Sequence, residues 1–181
     1  MSLVTFGEIL PDAQSRGYAI GSFNAWDTYS AKNLIACADR LRAPVIISLW
    51  QPELELAGEK QLWQLCLSFA EAARVPVAVF IDHAKTIEEV RRAIDYGATS
   101  VMIDGSHLAL EDNIELTGRV VEIARRAGVS IEGEIGVLGE EDGSDPSEKF
   151  YTDVDEADRF VTATAVDALA VAIGNAHGFY K

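Results

Sequence analysis

The sequence predicts an α/β chain made of βα units on a parallel sheet, and three observations carry that prediction. Six short, mostly apolar runs recur along the chain, at residues 18–23, 45–49, 77–81, 100–103, 129–135 and 168–173. Runs of this length and composition fit strands buried on both faces. Longer segments with apolar residues at helical spacing lie between them, and strict strand–helix alternation is the signature of βα units. No stretch is rich enough in Pro, Gly or Ser to act as a linker, so residues 1–181 are expected to form one domain.

Taken in order, the first strand-like run at 18–23 is followed by a helix over 29–41, with Leu34, Ile35 and Ala38 on one face. The run at 45–49 precedes a helix over 61–73 that carries Leu62, Leu65, Phe69 and Ala72. After 77–81 comes a helix over 87–96, marked by Val90, Ala93 and Ile94. Thr86 is its N-cap candidate, with Glu88 and Glu89 in the first turn, and Gly97 is its C-terminal stop. The run at 100–103 follows. Gly128 marks a second helix stop just before 129–135, and 168–173 ends the series. About six strands leave two architectures open, a doubly wound sheet or a (β/α)8 barrel that stops early. In either, chemistry gathers at the C-terminal ends of the strands.

Composition narrows the partners. The chain has 15 Lys+Arg against 29 Asp+Glu, a formal charge of −14 and a sequence pI near 4.5. That balance argues against nucleic acid, which needs a basic stripe, and against anionic lipid surfaces. A small anionic substrate stays open, because one local cluster of donors can override the global field. Mean hydropathy is +0.09 and no apolar run approaches the length of a membrane span. The first residues lack a basic segment followed by an apolar one. Cys37 and Cys66 both fall in helix-like segments, so a disulfide framework is not expected and a reducing cytoplasm is.

The three histidines all sit at or just beyond predicted strand ends: His83, His107 and His177. Asp82 and Asp104 close their strands, and Glu132 and Glu134 stand two apart, hence on one face of theirs. Asp residues at strand ends commonly cap helices or satisfy loop amides. Three histidines together, with acids nearby, are better explained by a site. Imidazoles and carboxylates converging on one point make a divalent transition-metal site, zinc first. An adjacent Asp could then move protons while the metal polarises a carbonyl. A glycine-rich acidic loop, Gly136 to Pro146, follows the fifth strand. It reads either as a solvated surface loop or as a lid that brings a carboxylate over the site.

These residues resemble the class II, metal-dependent fructose- and tagatose-bisphosphate aldolases. The matching segments appear in order over nearly the whole chain. They are Gly21-Ser22-Phe23-Asn24, Ala43-Pro44-Val45-Ile46-Ile47, Asp82-His83, Met102-Ile103-Asp104-Gly105-Ser106-His107 and Glu111-Asp112-Asn113-Ile114. Then follow Glu132-Gly133-Glu134-Ile135-Gly136, Gly139-Glu140-Glu141-Asp142, Tyr151-Thr152-Asp153, and Val166 through Gly178. The resemblance implies a TIM (β/α)8 barrel with about six of its eight βα units in this chain. It also implies reversible zinc-dependent cleavage of a ketose bisphosphate to dihydroxyacetone phosphate and an aldehyde, in carbohydrate metabolism such as glycolysis.

By the same resemblance, His83 and His177 are zinc ligands, with Glu134 and Asp104 as carboxylates near the metal. Asp82 exchanges a proton with the substrate hydroxyl during carbon–carbon cleavage, and Glu141 is the loop acid that shuttles the proton at the enediolate carbon. Asn24 contacts substrate, and the Gly178 backbone helps bind the phosphate. His107 stays outside the metal set. The implied partner is a small sugar phosphate, with no nucleic acid and no membrane, and the protein is expected to be a cytoplasmic homo-oligomer. The metal route needs no Schiff-base lysine, and Lys85 falls just past the Asp82-His83 motif.

Two departures qualify the resemblance. The second strand ends Ser48-Leu49-Trp50-Gln51, with Trp50 where the family usually has a small polar residue. The family's third zinc histidine and most of its phosphate site belong to two further βα units, and typical barrels need about 250 residues. The 181-residue chain alone is therefore expected to be weakly active or inactive, to leave two sheet edges open, and to associate through them. A non-catalytic sugar-phosphate-binding or accessory subunit on the same scaffold is the alternative.

Overall fold

The computed structural model describes residues 2–136 and 151–174. Strands β1 (Gly21–Asn24), β2 (Val45–Trp50), β3 (Val77–Ala84), β4 (Ser100–Ile103), β5 (Ser130–Ile135) and β6 (Ala168–Val171) form one sheet in the order β1-β2-β3-β4-β5-β6. Every neighbouring pair is parallel. Consecutive strands lying side by side in a single progression are the barrel arrangement, so the doubly wound alternative, which reverses direction part-way, is set aside. Among the described residues β1 and β6 each have one hydrogen-bonded neighbour, so the sheet is a partial barrel with two outer edges.

The helices are α1 (Phe6–Arg16), α2 (Thr28–Leu41), α3 (Gln51–Ala57), α4 (Glu59–Glu71), α5 (Ile87–Tyr96), α6 (Leu110–Ala127) and α7 (Val154–Thr164). Local chemistry explains several boundaries. The Asp27 side chain accepts from the Ser30 amide at 2.7 Å and opens α2. Thr86 accepts from the Glu89 amide at 3.2 Å, while Glu89 Oε2 accepts from the Thr86 amide at 3.1 Å. The Thr86 cap is the one the sequence led us to expect for α5, and the return bond from Glu89 completes a reciprocal cap. Gly97 and Gly128 end α5 and α6 with φ of 101° and 70°, a region where glycine avoids the Cβ clash.

Strand alternation divides the core in two. Odd-numbered strand residues, among them Val45, Ile47, Val77, Val79, Ile81, Val101, Ile103 and Ile131, pack outward against α2, α4, α5 and α6. Even-numbered ones, Ile46, Ala78, Phe80 and Met102, face inward with Ala168 and Ala170 beside them. The inner layer is closed from below by α1. Phe6 and Ile9 pack into it, and the Phe6 ring lies 4.9 Å from that of Phe80. Two barrel serines receive the first amides of α1, Phe6 N donating to Ser100 Oγ and Gly7 N to Ser130 Oγ, both at 3.0 Å. Those amides are among the donors a helix cannot satisfy internally.

Sequence reasoning did not assign α1. The signal was present in Thr5-Phe6-Gly7-Glu8, where the Thr5 amide donates to Glu8 Oε2 at 2.7 Å, and in the spacing of Phe6, Ile9 and Ala13, all buried. Pro11 inside the helix obscured it. The two cysteines are both helical and unpaired, Cys66 buried and Cys37 partly so. No helix among the described residues is long and apolar enough to cross a membrane.

Candidate metal centre

The site forms at the C-terminal ends of β3, β4 and β5, and a backbone irregularity in β3 is what assembles it. In a regular strand, neighbours such as Asp82 and His83 point to opposite faces. Here the β3–β4 register shifts between Ile81 and Ala84, and His83 takes φ of 51°. This bulge re-aims the histidine so that Asp82 and His83 serve the same mouth. Left-handed backbone at a non-glycine residue is uncommon and costs energy, a type of strain that collects at functional positions. His83 Nε2 lies 3.9 Å from Asp82 Oδ1.

The other side of the imidazole meets two carboxylates. His83 Nδ1 is 2.9 Å from Asp104 Oδ2 and 3.3 Å from Glu134 Oε2. An ionised carboxylate only accepts, so Nδ1 carries the proton and donates to Asp104. Glu134 Oε2 is close to the same nitrogen yet has no hydrogen-bond partner among the described residues, although it is buried. His83, Asp104 and Glu134 present ligand atoms that all lie within 4.8 Å of one another.

The electrostatics follow from that crowding. Burial, reinforced by the Asp104 charge, pushes Glu134 up to about 7. Burial also pushes Glu132 up to about 7, with Asp82 and Glu134 adding repulsion. Burial acts on Asp104 in the same sense, but the hydrogen bonds from His83, Lys85 and Ser106 together outweigh it and hold that carboxyl well below its usual range. His83 is raised by its bond to Asp104 against the opposing effect of burial, with Asp82, Glu134 and Asp104 adding to the rise. A half-buried pocket that holds Asp82, Asp104, Glu132 and Glu134 around one imidazole is short of positive charge. A buried carboxylate oxygen without a hydrogen-bond donor, beside an imidazole and further carboxylates, is the kind of donor set a divalent cation takes. The residues present therefore fit a metal ion.

Three supporting features escaped the sequence reading. Lys85 Nζ contacts Asp104 Oδ2, so the chain's lysine just past the motif reaches into the site. Asn113, buried in α6, donates through Nδ2 to the Glu134 carbonyl at 2.8 Å and accepts from Thr117 Oγ1 at 3.1 Å. Gly105 leaves room for that amide, since a Cβ there would lie 2.2 Å from Asn113 Oδ1. Asn113 and Gly105 stand in quoted motifs, but their role depends on a contact between β4, α6 and β5 that no local pattern encodes.

At the rim, Asn24 ends β1 and donates to Glu53 Oε2 at 3.3 Å. Trp50, the last residue of β2, is in register with Asp82 and is 42% exposed, so the departure noted in the sequence lies beside the site. His107 is exposed on the loop after β4 and does not join the cluster. Glu141, His177 and Gly178 lie outside the described residues, as does most of the acidic loop after β5.

An α/β partial barrel whose histidine and carboxylates meet at the C-terminal strand ends belongs to the class of barrels that keep their chemistry at that face. The comparisons with known proteins make this specific. The chain belongs to the class-II fructose-bisphosphate aldolase family, whose model matches residues 4–181. The YdjI aldolase of Escherichia coli K12 superposes with a TM-score of 0.87 at 33% identity, covering 97% of this chain and 64% of that one. A candidate fructose-1,6-biphosphate aldolase from Coccidioides immitis gives 0.84 at 31% identity, with 96% and 62% covered. The fructose-bisphosphate aldolase of Campylobacter jejuni shares the fold at 23% identity and a TM-score of 0.78, over 99% of this chain and 60% of that one. The chain thus spans less than two thirds of the length of each.

Proposed function

We propose that the protein is a metal-dependent aldolase that cleaves and forms a carbon–carbon bond in a ketose bisphosphate, with zinc as its ion. The observation that carries this reading is the orphaned, buried Glu134 Oε2 beside His83 and Asp104. In this reading His83 and Glu134 hold the ion, with Asp104 in the same group and His177 as a further ligand. Zinc, when bound there, supplies a Lewis acid that draws charge from a substrate carbonyl oxygen.

The chain's own residues do the rest. Asp82 lies across from His83 at the mouth, where it accepts the proton of the substrate hydroxyl as the carbon–carbon bond breaks and returns it in the condensation direction. Glu141 handles the proton at the carbon left behind. Asn24 and the Gly178 backbone hold the substrate, a sugar phosphate whose product pair is dihydroxyacetone phosphate and an aldehyde. Below the site, α1 covers the inward residues of β2, β3 and β4 with Phe6 and Ile9, which keeps water from that side. Cytoplasmic location and a homo-oligomeric state accompany the proposal.

The test uses zinc-loaded protein completed with the two further βα units of the barrel, and it reads both cleavage of the ketose bisphosphate and proton exchange on dihydroxyacetone phosphate. Asp82→Ala should lose about 10²–10⁴-fold in cleavage, the range of one general acid–base group. It should still exchange the carbon-bound proton of dihydroxyacetone phosphate with solvent deuterium, because Glu141 serves that step. His83→Ala should lose both. Undiminished cleavage in Asp82→Ala would overturn the role given to Asp82, and absence of both zinc-dependent readings in wild type would favour the accessory, non-catalytic subunit. The 181-residue chain by itself should turn over ketose bisphosphates poorly.

A further inference from the structure

Of the three described groups that could hold a metal, His83, Asp104 and Glu134, Asp104 is already engaged on both oxygens. Its Oδ1 accepts from the Ser106 amide at 3.1 Å and from the Ser106 hydroxyl at 2.6 Å. Its Oδ2 accepts from His83 Nδ1 at 2.9 Å and meets Lys85 Nζ. Four donors on two oxygens use the acceptor capacity of a carboxylate. Glu134 Oε2 stands in contrast, equally buried, 3.3 Å from His83 Nδ1 and without a hydrogen bond among the described residues. A divalent ion that took Asp104 as a ligand would have to displace an ammonium. One that took Glu134 would displace no hydrogen-bond donor among the described residues.

Lys85 is held where it can do this. Its own amide donates to Glu89 Oε2 at 2.6 Å, the same oxygen that closes the α5 cap. The β3 bulge at His83 delivers the chain to that cap three residues later. The Lys85 side chain is 56% exposed and Asp104 only 5%, so the ammonium reaches in from solvent over a buried partner.

We propose that Lys85 is a positioning residue that keeps Asp104 out of the metal's coordination sphere. Tied to Lys85 and Ser106, Asp104 serves as the outer carboxylate that orients His83, as outer carboxylates do for metal-binding histidines generally. The ion's protein carboxylate is then Glu134. This inference rests on the metal reading above. It adds that the number of carboxylates on the ion is set by a lysine rather than by the acids themselves.

The experiment measures Co²⁺ binding to the full chain by equilibrium dialysis and follows the visible absorption of the bound ion. Lys85→Met should bind Co²⁺ roughly tenfold more tightly, since it frees Asp104 as an extra ligand. Its absorption should weaken as the coordination number rises. Lys85→Arg, which keeps a cation on Asp104, should match wild type. A tenfold gain from simple loss of positive charge is separated by an Asp104→Asn background, in which Lys85→Met should change affinity little. An equal gain in both backgrounds, or no gain in either, overturns the inference. His83→Ala tests the metal reading itself. If wild type binds Co²⁺ no better than His83→Ala, that reading fails and the inference with it. If His83→Ala loses binding while Lys85→Met leaves it unchanged, only the inference fails.

Discussion

Asn113 offers a direct test of how the site is held. It is 2% exposed and joins α6 to the strand that carries Glu134. Asn113→Ala removes the Nδ2 donor from the Glu134 carbonyl, 2.8 Å away, and the acceptor from Thr117 Oγ1, 3.1 Å away. A buried carbonyl that loses its donor costs about 1–3 kcal/mol, and the hydroxyl bond adds about 0.5–1.5 kcal/mol. Together these come to about 3 kcal/mol. For a chain of this size each kcal/mol moves Tm by about 3 °C, so the expected drop is roughly 9 °C.

Thermal unfolding followed by circular dichroism would measure it, with the metal removed so that binding does not mask the change. Asn113→Asp sharpens the test. It replaces the donor by an oxygen facing the Glu134 carbonyl, so it should be destabilising at neutral pH and partly recover in acid, where the carboxyl can donate. A Tm for Asn113→Ala within about 2 °C of wild type would refute the reasoning, since no ordinary surface substitution would then be distinguishable from it.

Further outcomes follow from the same geometry. Glu132 and Glu134, both pushed up to about 7, and His83, raised by its bond to Asp104, hold more protons folded than unfolded at mildly acidic pH. The metal-free chain should therefore lose stability as pH rises from about 4.5 through 7, and Glu134→Gln should flatten that slope. Saturating zinc should reverse the slope, because the ion binds the ionised carboxylate; a metal-free Tm that climbs across this range would contradict the assignment. Cys66 is buried, with its thiol pushed up to about 12, and Cys37 is partly exposed. Ellman's reagent should titrate one thiol in the native chain and two in urea, and two fast native thiols would refute the packing. The outer edges leave Phe23 48% and Ile173 72% exposed, with Trp26 and Tyr29 nearby. The elution volume of the chain should shift with concentration on gel filtration, and a concentration-independent monomer would argue against association through these edges.

What the sequence carried best was what is local or periodic. The alternation of apolar runs with helical spacing located the strands to within a few residues, and Thr86, Gly97 and Gly128 marked helix ends through chemistry that operates within one turn. Asp82, His83, Asp104 and Glu134 were legible because strand-end position and residue type coincide in the sequence. The choice between a doubly wound sheet and a barrel was not local, and the continuous strand order decided it.

The rest was out of reach for a physical reason. Whether Asp82 and His83 share a mouth depends on a bulge, and strand alternation alone would have parted them. Lys85 looked like a bystander because its sequence position lies past the motif, whereas its four-carbon stem carries the ammonium back onto Asp104 from the adjoining strand. Asn113, Gly105, Ser100 and Ser130 acquire meaning only when α6 and α1 dock on the sheet. By itself the sequence determined which residues could do chemistry. The tertiary structure decided which of them meet, because only packing across strands sets the distances on which charge, proton transfer and ligation depend.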